Sequence, residues 1–132
     1  MLRWFLGAAY AYAGYAHLAR PEPFLAITPG WVPYPQSVVF WTGFAEIAGA
    51  IGLIQPISRP LRSAAGLALA FYALCVWPAN IHHFTMDMAR EDEGLGLGYH
   101  IPRLLLQPVL IWLALWVGEV SGPWTRRKQV ER

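Results

Sequence analysis

One carboxylate stands in the middle of an apolar run of this 132-residue chain. Glu46 lies in SVVFWTGFAEIAGAIGLIQ, residues 37–55, where Thr42 is the only other polar residue between the ends. In a bilayer such a residue sits near mid-depth, where a charge costs about 2.5–3.5 kcal/mol on insertion scales. It therefore needs a partner or a task. Four other polar residues belong to similar runs: His17, Asn80, Arg103 and Gln107. A carboxyl group with a guanidinium, an imidazole and two amides can hold a small amphipathic molecule by hydrogen bonds. It can also move a proton. The same residues can serve only to tie helices together. Arg103 would then pair with Glu46, and Asn80 and Gln107 would satisfy backbone groups freed by Pro78 and Pro108.

Other chemistries find less footing. His82-His83 with His17 or His100 could be imagined around a metal, but no H-x-x-H or H-E-x-x-H spacing occurs, so no metal site is expected. Cys75 is the single cysteine and lies in an apolar run, which predicts a buried, inert thiol. No serine, threonine or cysteine has a base at a recognisable spacing. GLGLG at residues 94–98 is followed by no GK[ST] and is not a phosphate loop. A net charge of +2 gives no nucleic-acid footprint.

The elements that must carry these residues are apolar helices. Charged residues make up 14% of the chain, against roughly 25% in soluble domains. With so little charge to coat a surface, lipid is the natural solvent. Four runs predict helices at about 2–18, 37–55, 62–79 and 101–120, together one membrane domain over 1–132. The fold class expected is all-α, an integral membrane four-helix bundle running up-down-up-down. The first run carries Arg3 and small residues around Tyr10 and Tyr12, so a cleaved signal peptide is its rival assignment. The connection 19–36 holds five of the eleven prolines and forbids a continuous helix, though Phe24–Ile27 can make a turn after Pro23. Gly43, Gly49, Ala50 and Gly52 give α-helical small-residue faces around Glu46, which should turn it toward protein. Residues 81–100 are the polar stretch and read as an aqueous loop with a short helix near Thr85–Glu91.

Basic residues set the expected orientation. Arg3, Arg59, Arg62, Arg126, Arg127, Lys128 and Arg132 fall on one side; Arg20, Arg90 and Arg103 fall on the other. Both termini and the tail 121–132 are thus expected in the cytoplasm of a bacterial inner membrane. His17, Asn80, Arg103, Gln107 and Glu46 then all lie in the outward half, which suggests an outward-opening polar pocket under the proline-rich loop.

The order of these signals resembles the DoxX-like family of small bacterial membrane proteins. Gly14 with His17, Pro21, Phe24, Pro29 and Pro33 begin the likeness. GFAEIAGAIGLI from Gly43, PANI from Pro78 and RLLLQ from Arg103 continue it. The resemblance implies a four-helix membrane bundle, and for one member of the wider family a place in a thiosulfate:quinone oxidoreductase. The expected function is binding of a quinone- or lipid-like molecule, or service as the membrane subunit of a redox complex. The alternatives are a structural or assembly partner of another membrane protein, and an enzyme using Glu46 for proton transfer.

Overall fold

A computed structural model describes residues 1–120. These residues form five helices: α1 (Leu2–Ala19), α2 (Glu22–Ile27), α3 (Pro35–Ile54), α4 (Arg59–Met88) and α5 (Leu97–Val117). Three of them, α3, α4 and α5, are long and apolar enough to cross a membrane. The expected tail 121–132, with Trp124 and its basic residues, lies outside the described residues.

The distribution of polarity is inverted relative to a soluble domain. Glu46, Arg62, Asn80, Asp87, His100 and Gln107 are buried, whereas Trp41, Phe44, Phe71, Leu105, Trp112 and Trp116 are each more than half exposed. Large contiguous apolar surface is unusual on a soluble monomer. Together with the three long apolar helices, it is compatible with a membrane protein.

Glycine sets the helix contacts that enclose Glu46. A Cβ on Gly14 would lie 2.5 Å from the Gly43 carbonyl oxygen and 3.1 Å from the Glu46 Cβ. Farther along the same pair, Gly7 packs against Ile54 and Ala50. Gly49 receives Leu69 of α4, and Gly66 of α4 lies against Ala114 and Gly118 at the end of α5. Close backbone approach of this kind replaces hydrophobic driving force where lipid is the solvent.

The turn between α3 and α4 is built by one side chain. Gln55 Nε2 donates to the Gly52 and Ser58 carbonyls at 3.0 and 2.8 Å, and its Oε1 accepts from the Ile57 and Ser58 amides, both at 2.8 Å. Ser58 then caps α4, accepting from the Leu61 amide. At the same end of the molecule Arg59 and Arg62 reach Glu119 at 3.0 and 3.3 Å, joining the start of α4 to the end of α5.

The connection expected over 81–100 is corrected by the structure: α4 does not stop near Ala79 but runs through Pro78 to Met88. Pro78 offers no amide to the Leu74 carbonyl. Gln107 Nε2 donates to the adjoining Ala73 carbonyl at 2.9 Å, supplying a donor from α5 at the break. Neighbouring side chains commonly make an internal proline tolerable in apolar helices. The polar residues taken for loop have two destinations. His83 and Asp87 face α5, while the turn beyond Met88 carries Arg90 and Asp92. Arg90 holds Asp92 at 2.9 and 3.0 Å and keeps its carboxyl below the usual range.

Cys75 is also corrected, from buried to exposed. It follows Phe71 by one helical turn and is among the residues that line the cavity described below.

Candidate functional site

A cavity of about 500 Å³ runs between the helices, and each of the five helices contributes to its wall. Along α1 it extends from Leu6 to His17, roughly 16 Å at 1.5 Å per residue. Its walls are mostly aliphatic and aromatic, with Phe24, Trp31 and Val32 at one end. All five residues singled out in the sequence, His17, Glu46, Asn80, Arg103 and Gln107, line this one cavity.

The sequence brings them there through distinct local devices. His17 is in the last turn of α1, its ring 3.8 Å from that of Phe24 in α2. The His17 Nδ1 lies 3.1 Å from the Thr42 hydroxyl, which donates onward to the Val39 carbonyl at 3.0 Å. The hydroxyl proton being so used, His17 Nδ1 is the donor, and Nε2 is its free nitrogen. Glu46 lies one turn beyond Thr42 on α3, with Oε2 3.9 Å from His17 Nδ1. Asn80 stands two residues after Pro78 and Gln107 one residue before Pro108, both buried.

Several polar atoms here have no partner. Glu46 Oε2, Asn80 Oδ1 and Tyr10 Oη are buried without a hydrogen bond. Leaving a buried polar group unpaired costs about 1–3 kcal/mol, so native chains leave few of them. All three belong to residues that line the cavity.

The pairing of Arg103 with Glu46 is not what forms. Arg103 Nη1 instead lies 3.0 Å from His83 Nδ1 and 3.0 Å from the Tyr99 hydroxyl. The guanidinium starts one turn nearer the start of α5 than Gln107, where Tyr99 on its own helix and His83 on α4 accept its hydrogen bonds. Gln107 bonds the Ala73 carbonyl, which neither Pro78 nor Pro108 frees, and not the Leu74 carbonyl beside it. Asn80 makes no such bond through Oδ1.

Two groups of residues were not anticipated. Tyr10 and Tyr72 line the cavity beside Glu46, but tyrosine in an apolar run gives no sign of facing inward. Beyond Arg103 lies a second cluster. Asp87 Oδ2 accepts from the Leu95 amide at 3.0 Å and from His100 Nε2 at 2.8 Å, with His83 Nε2 3.4 Å away. The four-residue spacing of His83 and Asp87 was its available signal. His17 lies apart from this cluster, hydrogen-bonded to Thr42 in the cavity wall.

No curated protein and no solved structure matches the chain. A family model described as a domain of unknown function (DUF8561) matches residues 6–118. That span contains every residue of the cavity wall and of the second cluster, and the chain belongs to this family.

Proposed function

We propose that this chain is an integral membrane protein whose cavity binds a small amphipathic molecule, quinone- or lipid-like, with a hydrogen-bonding head. In this reading α1, α3, α4 and α5 cross a bacterial inner membrane in up-down-up-down order, as a DoxX-like bundle would. Both termini are cytoplasmic and the proline-rich connection is outside. The contacts of Gly14 with Gly43, of Gly49 with Leu69 and of Gly66 with Ala114 support that packing.

The observation that carries the reading is Glu46. Its Oε2 is buried without a partner on the wall of a cavity that is otherwise mainly apolar. A ligand head offering a donor there satisfies Glu46, while Asn80 Oδ1 takes a second donor. His17 Nε2 and Gln107 orient the head, and Phe24, Trp31 and Leu110 pack the apolar part. The cavity volume falls in the range of small-molecule sites, about 300–1,000 Å³.

The test is mass spectrometry of small molecules retained by protein purified gently in mild detergent. One lipid-soluble species should be enriched at near one per chain and be depleted at least tenfold in Glu46→Gln. The variant should fold normally, because Gln keeps the volume of Glu46 and an acceptor oxygen for the Tyr72 hydroxyl beside it. Equal retention by the variant would remove the assignment.

A second reading is favoured by α5. Leu105, Val109, Trp112 and Trp116 are exposed at spacings of four, three and four, the seam a partner helix would use. The Trp112 and Trp116 rings stack at 5.4 Å. On this reading the chain is a membrane subunit, and a redox or other membrane protein supplies the activity. Co-purification of a stoichiometric protein, lost on Leu105→Ser with Trp112→Ser, would identify it.

A further inference from the structure

We propose that His83, Asp87 and His100 form a binding site for a divalent transition-metal ion of the zinc class. Their nearest ligand atoms all lie within 4.8 Å of one another. His83 and Asp87 are one turn apart on α4, and His100 is on the first turn of α5, across the connection. His100 and Asp87 are buried. Two imidazoles and one carboxylate suit Zn²⁺ and its neighbours and do not suit Ca²⁺ or Mg²⁺, which take oxygen ligands. Three protein ligands leave a fourth position for water or a small ligand.

The surroundings hold the ligands in place. The Leu95 amide fixes Asp87 Oδ2 at 3.0 Å. Gly94, at a φ of +53°, leaves no space for a Cβ beside that carboxylate. The imidazoles of His83 and His100 meet edge to face, with centroids 4.8 Å apart.

Arg103 makes the proposal specific. It donates to His83 Nδ1, so in the metal-free state the His83 proton is on Nε2 and points toward Asp87. A metal takes the Nε2 lone pairs of both imidazoles, so each ring's proton moves to Nδ1: in His100 to a buried nitrogen with no other partner, in His83 to the one that Arg103 holds. Arg103 must then release Nδ1 while keeping Tyr99 as a partner. Arg103 is therefore a competitor of the metal, through both its proton and its charge. Because it also lines the cavity, metal loading frees a guanidinium there. The site itself rests on none of the cavity's proposed ligand chemistry.

The test uses the full chain without a polyhistidine tag, stripped with chelator and titrated with Co²⁺, then Zn²⁺. One Co²⁺ per chain is expected, with the ligand-field absorption of a four-coordinate centre, displaced by Zn²⁺. His83→Ala, at a part-exposed position, should weaken binding by more than the roughly 10–100-fold that losing an outer partner costs. Asp87→Asn should do the same in protein of unchanged helix content. Arg103→Gln should tighten binding by about tenfold, the scale of one outer-shell contact. Absence of stoichiometric Co²⁺, unchanged affinity in His83→Ala, or weaker binding in Arg103→Gln would each overturn the site. The cluster would then be a carboxylate clasp between α4 and α5.

Discussion

Gly14 shows how little slack surrounds the cavity carboxyl. Its missing side chain lets α1 and α3 approach until a Cβ would lie 2.5 Å from the Gly43 carbonyl and 2.8 Å from Ile47 Cγ1. Neither backbone can yield without moving Glu46, whose Cβ is 3.1 Å from the same point. Gly14→Val should therefore destabilise the protein by about 1–3 kcal/mol, the usual cost of overpacking. The loss should appear as a lower unfolding temperature in detergent, with reduced retention of any cavity ligand. Gly98, with open space around its Cβ position, is the control: Gly98→Ala should leave both measurements unchanged. At this scale the chain announces some residues and hides others. Glu46, Asn80 and Gln107 stand out because a polar group in an apolar run must have a destination. Tyr10 and Tyr72 do not, since an aromatic ring is at home on either side of such a helix. Side-chain partners were least visible: Arg103 chose His83 and Tyr99 over Glu46 because reach, not charge alone, decided the pairing.

Among the elements, the α3–α4 turn depends on a single amide. Gln55 makes four hydrogen bonds across it, two donated and two accepted. Gln55→Ala should cost about 1–2 kcal/mol, because water replaces part of what is lost at this partly exposed turn. Gln55→Glu loses the two donated bonds and should fall between wild type and alanine. Denaturant titration followed by tryptophan fluorescence would rank the three. Helix existence was readable from apolar runs, and the bounds of α3 differ little from expectation. The far end of α4 was not readable. Pro78 is a strong local stop signal, yet α4 runs through it, with Gln107 of α5 bonded to the Ala73 carbonyl next to the break. That contact comes from a residue 34 positions from Ala73. Polarity over 81–88 was equally ambiguous, since a helix end and a loop can share one composition.

For the whole molecule the inverted polarity carries a prediction about placement. In a Cys75→Ser background, Asp92→Cys should react with a membrane-impermeant maleimide added outside intact cells. Arg3→Cys should react only after lysis. The reverse pattern would turn the molecule over in the bilayer, and labelling of both from outside would exclude the four-span arrangement. The shortness of the Gln55 turn reaches further than stability. Three residues, Pro56–Ser58, separate Gln55 from the first residue of α4. Helices so tethered leave the ribosome nearly together and partition as a hairpin. Leu69 of α4 packs on Gly49 of α3, one turn from Glu46, within this same hairpin. In the proposed four-span arrangement, such a hairpin would keep the acidic group from meeting lipid on a solitary helix.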